Sequence, residues 1–394
     1  MRNANFKQFL DKNLLVLSPA FSNKDNSYIG DGFVKNQLAE LKQYFNEISV
    51  ISPVPFSFNQ LAKDKYCINY EYDNVKVYYP RSFYIPILYF KSILIDNRLR
   101  VIKNLVKQER LCFDLIHAHF TWPSAYIAVA LKEIYNKPVV VTIHENEARF
   151  YKEINMDYQP LTHSLKKADA LIRVNKKDLP LLKEFNENVF SIPNGYPSKF
   201  KSLDQAFCRG KLGLPADKKI IFSLGLLIER KGFKYLIEAL KLLGSSDILC
   251  FIGGRGSQKK LQSQISNHHL EEQVFLIGFI PDELLPIWMN ACDLFVLPSL
   301  SEGNPTVMFE ALGCGVPFVG SDVGGVSEII ISEDYGYLTE PKNSKNLAEK
   351  IELALAKQWD KEKIQSYAEQ FTWENIGKEI LNVYCNVRAA SNNP

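Results

Sequence analysis

Short apolar runs rich in β-branched residues alternate along the whole chain with stretches in which apolar positions recur every three or four residues. LLVLSPA (14–20), EISVISPV (47–54), FDLIHAH (113–119), PVVVTIH (138–144) and ALIRV (170–174) are almost continuously apolar and too short for helices. Runs of this kind predict strands buried on both faces, as in parallel sheets. Helical patterns such as VKNQLAELKQYF and LPLLKEF lie between them. The alternation then restarts with KIIFSLG (219–225), DILCFIGG (247–254), VFLIGF (274–279), LFVLPS (294–299) and PFVGS (317–321), each followed by a helical pattern. Strand and helix in turn predict doubly wound α/β architecture, here built twice.

The stretch from Pro193 to Pro215 has turn formers, Asn194-Gly195 and Gly213 among them, and no clear apolar period. It predicts a boundary and a hinge, with one domain over residues 1–200 and a second over 201–371. The last segment, FTWENIGKEILNVYCNV within 372–390, predicts an amphipathic helix opened by Thr372 as N-cap and packing back on the first domain. Tyr66 to Phe90 is dense in tyrosine. It reads as irregular structure packed on the first domain, with an aromatic-lined surface for a sugar or lipid acceptor as the alternative.

A length of 394 residues suits two domains of roughly 150 each. Hydrophobic residues make up 46% and charged ones 23%, enough apolar content for full cores. The net charge of +3 gives no electrostatic case for nucleic acid as a partner. A pI near 8.3 permits weak attraction to anionic lipid without showing it. The seven cysteines are scattered and form no CxxC pair, which points to reduced thiols. MRNANFKQFLDKN lacks the apolar centre of a signal peptide, and no apolar run approaches the roughly 20 residues that span a bilayer. The expectation is a cytoplasmic protein with room for peripheral contact at the inner face of a membrane.

Candidate chemistry gathers in the second half. In SEGNPTVMFEALGCG (301–315), Glu302 falls in a loop and Glu310 inside a nearly uncharged helix. Pro305 suits the first turn of that helix, and the amides of Thr306 and Val307 have no helical partners. With the helix dipole they form an anion site. Glu310 stands about 7.5 Å further along the axis, on the stripe of Thr306. Phosphate donors at a helix tip and a carboxylate deeper in match a diphosphate followed by a ribose. The alternative is a solvated helix glutamate. In ERKGFKYLIEALKLL, Arg230 and Lys231 precede a helix marked by Phe233, Leu236, Ile237 and Leu240. Cations at a helix N-terminus are disfavoured by about 0.3–1 kcal/mol each, so the pair makes sense around an anion. A solvated basic loop is the alternative.

After the first strand, SYIGDGFVKNQLAEL brings Gly30 and Gly32, which could let backbone approach a phosphate or could be turn glycines only. The dinucleotide fingerprint fails, because Lys35 stands where it needs glycine. His117 and His119 share one strand face, and His144 ends the neighbouring strand, on the edge where open parallel sheets bind ligands. No zinc spacing accompanies them. Structural hydrogen bonding is expected of His117 and His119, and a place in the cleft of His144, with Glu145 and Glu147 beside it.

These residues together resemble retaining glycosyltransferases of family 4, whose fold is GT-B: α/β, two Rossmann-like doubly wound domains facing a central cleft. The resemblance covers nearly the whole chain and is densest from Phe222 to Ile330. ERKG, FIGGRG, FLIGFIPDELLPIWMNACDLFVLPS, SEGNPTVMFEALGCGVPFVG and SDVGGVSEII carry it, with HAHFTWPSA, PVVVTIH and SIPNGY in the first half. Within the family the chain looks like enzymes of surface-polysaccharide assembly, of the teichuronic-acid type. The resemblance implies an N-terminal acceptor-binding domain and a C-terminal donor-binding domain. It implies a hexosyl- or N-acetylhexosaminyl-type transferase. The donor is a nucleotide-diphosphate sugar, the acceptor a saccharide or lipid-linked saccharide, and neither metal nor other cofactor is needed.

By position, Glu310 would bind the donor ribose and Glu302 the donor sugar. Lys231, with Arg230, would neutralise the diphosphate. Backbone from Gly303 through Asn304 and Thr306 to Val307 would cradle the distal phosphate, with Gly30 and Gly32 completing the cradle. Arg255, Phe279 and Ile280 would approach the nucleotide, and His144 would sit by the donor sugar and incoming acceptor. One departure stands out: Leu226 occupies the place where family members often have an arginine. Either Arg230 substitutes for it or the leaving group is held less firmly. The alternative function is a catalytically weak nucleotide-sugar-binding subunit that assists a partner transferase.

Overall fold

A computed structural model describes residues 4–25, 30–56, 67–83, 92–156 and 158–392. The chain divides into two compact units. The first comprises residues 1–145, 149–193 and 376–394, and the second residues 146–148 and 194–375.

Among the described residues the first unit holds ten strands: β1 (Asn13–Leu17), β2 (Glu47–Ile51), β3 (Val54–Phe56), β4 (Tyr70–Tyr72), β5 (Val75–Tyr78), β6 (Arg81–Phe83), β7 (Leu115–His119), β8 (Val139–Ile143), β9 (Ala170–Arg173) and β10 (Val189–Ser191). Eight form one sheet in the order β10-β9-β8-β7-β1-β2-β5-β4, and β3 pairs with β6 apart from it. Every pairing in the large sheet is parallel except β4 with β5. The apolar runs explain this. β7, β8 and β9 are buried along their full length, as strands covered by helices on both faces must be. The sequence order reverses between β1 and β7, so their loops leave the carboxyl edge in opposite directions and open a crevice there. Helix α1 (Gly32–Leu41) follows β1, with Val34, Leu38 and Leu41 buried.

The second unit is a six-stranded, wholly parallel sheet in the order β13-β12-β11-β14-β15-β16. Its strands are β11 (Lys219–Leu224), β12 (Ile248–Gly253), β13 (Val274–Gly278), β14 (Leu294–Leu297), β15 (Phe318–Ser321) and β16 (Gly336–Thr339). Alternate residues feed two cores. Phe222, Phe295, Leu297 and Phe318 meet Met308, Phe309 and Leu312 of helix α3 (Thr306–Gly313) on one face. Ile221, Leu294, Val296 and Val319 meet Leu236, Ile237 and Leu240 of helix α2 (Phe233–Leu243) on the other. Each such fully buried side chain contributes about 1.5–3 kcal/mol.

Three expectations change. The tyrosine-dense stretch is not irregular between residues 67 and 83: it contains β4, β5 and β6, with Asp73 at positive φ in the turn between β4 and β5. Val75 and Val77 point inward and carry the period that the tyrosines mask. Tyr66 and residues 84–90 lie outside the described residues. The expected hinge contains a helix, Gln205–Leu212, capped by the Asp204 side chain on Phe207 N–H (2.7 Å) and ended by Gly213 in the left-handed region. Pro305 is the N-cap of α3 rather than a first-turn residue, and the helix starts at Thr306. The last helix, α4 (Trp373–Asn392), buries Ile376, Ile380, Leu381, Tyr384 and Val387 on one stripe. Among the described residues no helix is long and apolar enough to cross a membrane.

Candidate active site

In the second unit the order reverses between β11 and β14, and the loops after these two strands hold the charged candidates. Glu229–Lys231 form one 3-10 turn, closed by Gly232 at φ +67°. A side chain at 232 would run into the Pro298 carbonyl, so only glycine allows this approach. The Leu300 N–H donates to the Arg230 carbonyl (2.7 Å), binding the two loops together. The Lys231 stem lies against Gly225, where an added Cβ would come within 3.2 Å of its Cε.

Lys231 Nζ donates to Glu302 Oε1 at 2.6 Å, and Arg230 Nη1 meets Oε2 at 3.2 Å while donating to the Ser301 carbonyl at 2.7 Å. Glu302 is buried. Burial pushes its pKa up, but the charges of Lys231 and Arg230 outweigh that and hold it below the ordinary carboxylate range. The anion that the two adjacent cations called for is therefore supplied first by the chain itself.

Helix α3 begins beside this cluster. Gly303 accepts the Gly325 N–H through its carbonyl (2.8 Å). The Asn304 side-chain oxygen accepts from Asn194 N–H (2.9 Å), and its carbonyl from Asn194 Nδ2 (2.7 Å). Thr306 and Val307 are half-buried. Glu310 is half-buried too, one turn inside the helix, next to the fully buried Phe309 and Ala311. Burial pushes its pKa up to about 7, with the Lys199 charge opposing and Asp282 adding to the rise. Lys199 itself is paired with Asp282 (2.5 Å). Further along the same edge, the Arg255 guanidinium lies 4.1 Å over the Phe279 ring, and Phe279 is exposed. Ile280 is buried in the core instead, and Leu226 is exposed.

In the first unit, Gly30 packs on the Ala20 carbonyl, which accepts the Asp31 N–H, and Gly32 opens α1. Asp31 accepts from Ser18 Oγ (3.0 Å), yet burial pushes its pKa up to about 7. The three histidines form one stack: the rings of His117 and His119 are 4.3 Å apart, and those of His119 and His144 are 5.2 Å apart. His144 Nε2 is 2.9 Å from His119 Nδ1, and its ring lies 4.6 Å from that of Phe33. His117 bonds Thr142 Oγ1 (2.7 Å) and Tyr384 Oη (2.6 Å). Among the described residues no three His, Cys, Asp or Glu side chains are gathered as a metal site.

Beside His144, Glu145 Oε1 accepts from Thr121 N–H (2.8 Å) and Thr121 Oγ1 (2.7 Å), and Glu153 Oε2 lies 2.6 Å from the same hydroxyl. One hydroxyl has one proton to give, so Thr121 donates to only one of the two carboxyl groups at a time. Burial, with the Glu145 charge next, pushes the Glu153 pKa up, against the Arg149 guanidinium, whose Nε donates to Glu153 Oε1 at 2.6 Å. Sequence reasoning noted Glu145 but missed Thr121, Glu153 and Tyr384. Thr121 follows the His-x-His strand directly, a readable signal. Glu153 and Tyr384 come from helices that only the folded chain brings here.

The description "Glycosyltransferase Family 4" matches residues 35–199 and "Glycosyl transferases group 1" matches residues 204–371. TuaC of Bacillus subtilis (strain 168), a glycosyltransferase named for teichuronic acid biosynthesis, is 31% identical over 339 residues, spanning 82% of this chain and 84% of that protein. Two solved structures share the fold at 21% identity. Sucrose-phosphate synthase of Thermosynechococcus elongatus has a TM-score of 0.78 over 96% of this chain and 100% of its own. Anabaena Alr3699/HepE in complex with UDP-glucose has a TM-score of 0.73 over 95% of this chain and 100% of its own. The fold is GT-B, and the chain belongs to glycosyltransferase family 4.

Proposed function

We propose that this protein is a retaining glycosyltransferase that moves a hexosyl or N-acetylhexosaminyl unit from a nucleotide-diphosphate sugar to a saccharide or lipid-linked saccharide acceptor in surface-polysaccharide assembly. The observation that carries the reading is the cluster of Lys231, Arg230 and Glu302 beside the first amides of α3, with Glu310 one turn inside that helix. The naming of TuaC supports polysaccharide assembly, and the UDP-glucose complex of the Anabaena protein supports a uridine donor.

Bond breaking at the anomeric carbon leaves negative charge on the diphosphate. Lys231 has three N–H donors and spends one on Glu302, so others remain for phosphate oxygens. Arg230 adds a second charge, and the amides of Thr306 and Val307 add dipoles already aimed. Glu310 accepts from the ribose hydroxyls. Glu302 fixes the direction of Lys231 and faces the donor sugar. Arg255 and the Phe279–Ile280 backbone flank the nucleotide. Gly30 and Gly32 give backbone to the distal phosphate, and His144 serves the sugar and the acceptor. We place the enzyme in the cytoplasm, with peripheral contact to the membrane that carries a lipid-linked acceptor.

Incubation with UDP-, GDP- and ADP-sugars tests this. A true transferase hydrolyses one donor slowly without acceptor and faster with it, and Glu310→Ala or Lys231→Ala lowers turnover at least tenfold. Unchanged activity in both variants refutes the site. The exposed Leu226 favours a second reading, a nucleotide-sugar-binding subunit. Tight nucleotide binding without any donor turnover would select it.

A further inference from the structure

We propose that Arg173 is a positioning residue: its buried guanidinium grips the backbone carbonyls on either side of His144 and so fixes where that imidazole stands. The role of His144 at the sugar rests on the proposed function, whereas the grip rests on geometry.

Strands β8 and β9 run parallel, and β9 ends at Arg173, directly opposite Ile143. The Arg173 side chain takes over where its own strand stops. Its Nη1 donates to the carbonyl of Ile143 and to that of Glu145, each at 2.9 Å. The first carbonyl belongs to the last residue of β8 and the second to the loop beyond it. One nitrogen with two protons thus holds two carbonyls two residues apart. His144 is the residue between them.

The guanidinium is itself locked. It is fully buried. Its Nε donates to Asp178 Oδ2 at 2.8 Å, and its Nη2 lies 2.6 Å from the same oxygen. Its central carbon lies 4.5 Å over the Phe150 ring. Asp178 is fully buried as well. It stands at the N-cap of the helix Leu179–Lys183, where an aspartate usually bonds a first-turn amide, yet its side chain caps nothing there. Its second oxygen accepts from the Tyr151 hydroxyl (2.9 Å) instead. Both carboxylate oxygens serve to hold the arginine in place.

A core has no need of such a pair. The attraction between two buried charges roughly offsets their desolvation, and apolar side chains of similar volume fill the space as well or better. Ala170, Leu171 and Ile172 do so along the rest of β9. An apolar side chain at 173 would leave the two carbonyls ungripped. Lysine lacks the planar fork that turns one edge to a carboxylate and the other to the carbonyls. What the arginine adds is therefore a fixed loop end. His119 and Phe33 steady the tip of the His144 ring, and Arg173 fixes its root. A group misplaced by about 1 Å loses a factor of ten or more in rate.

Two variants test this. Arg173→Met combined with Asp178→Asn removes the grip and leaves no buried charge behind. Arg173→Lys keeps a cation beside Asp178 and loses the fork. ¹H–¹³C spectra of histidine-labelled protein, with the His144 signal assigned by its loss in His144→Phe, report the surroundings of each ring. Both variants should shift or broaden the His144 signal and leave that of the exposed His163 in place. Both should lower kcat for donor turnover about tenfold, with UDP affinity unchanged. A folded variant in which the His144 signal or kcat keeps its wild-type value overturns the proposal. Loss of the fold in both variants also overturns it, since Arg173 would then serve the core. A wild-type protein that turns over no donor overturns the functional reading, and the His144 signal then decides the grip by itself.

Discussion

Replacing Glu310 by glutamine keeps its size and removes its charge. In the native chain burial raises this carboxyl from an ordinary 4.5 to about 7. At about 1.36 kcal/mol per pH unit, ionising it in place costs at most roughly 3 kcal/mol relative to the unfolded chain. The group is half-buried, so about 2 kcal/mol is a fair working figure after screening. The sign follows from proton counts. Between about pH 4.5 and 7 the native state holds a proton that the unfolded state has released, so wild-type stability falls as pH rises through that window. Below pH 4.5 the carboxyl is neutral in both states and the variant gains nothing. Above pH 7 the variant gains the full difference. For a unit of this size about 2–4 °C accompany each kcal/mol, so Glu310→Gln should melt roughly 4–8 °C above wild type at pH 8 and level with it near pH 4.5. Thermal unfolding of both proteins across matched buffers measures this. A melting difference that does not grow with pH refutes the burial argument. The same variant should bind UDP about tenfold more weakly, since one of the two acceptor oxygens for the ribose hydroxyls becomes an NH2 donor and the charge is gone. A more stable protein that binds less well would mark a site held at a cost to the fold.

Lys231→Met leaves Glu302 buried with Arg230 as its sole cation and should cost about 3 kcal/mol, most of it recovered in the double variant with Glu302→Gln; chemical denaturation of the four proteins gives the coupling. Glu153→Gln should cost about 1 kcal/mol, read by chemical denaturation, because it removes the charge that pairs with the half-exposed Arg149. Thr121→Val should cost about 1–3 kcal/mol by removing the hydroxyl between two acids, and a stability unchanged on denaturation would contradict its bridging role. Gly232→Ala should lower the melting temperature by several degrees, corresponding to more than about 2 kcal/mol, since both its positive φ and the Pro298 carbonyl oppose a side chain.

The doubly wound units were legible because buried parallel strands leave unbroken apolar runs that nothing else in the chain imitates. All ten expected strands appear, usually one or two residues shorter, since carboxyl-edge residues such as Ser18 and His144 belong to the loops. What escaped was structure built from less apolar residues. In YEYDNVKVY Val75 and Val77 mark the buried face, while the half-exposed Tyr70 and Tyr72 and the buried Tyr78, out of step with the valines, hide the alternation. The helix at 205–212 buries little beyond Cys208 and Arg209, so no stripe announces it. At the site, Glu310 was legible as an acid among apolar neighbours. The pairing of His117 with Tyr384, 267 positions away, has no local trace, because it depends on where α4 packs.

Glu302 and Glu310 sit in one fifteen-residue segment, yet their surroundings drive them apart. Both lose solvation. Glu302 gains two cations within hydrogen-bonding distance and stays ionised, whereas Glu310 gains none and is close to half-protonated at neutral pH. Two cations ahead of α2, unpaired, would repel each other and the helix dipole. With Glu302 among them the cluster carries one net positive charge, enough to attract a diphosphate, and the buried Glu302 stays paired. On the proposed reading this division has a catalytic consequence. The attraction between Lys231 and the diphosphate grows as the glycosidic bond breaks and charge collects on the leaving oxygen. The attraction between Lys231 and Glu302 does not change, so the cluster favours the transition state over the bound donor. Glu310 contacts a ribose whose charge is constant through the reaction, so it contributes to binding alone. Loss of Lys231 should therefore fall mainly on kcat and loss of Glu310 mainly on KM, a split that a shared structural role for the two residues would not produce.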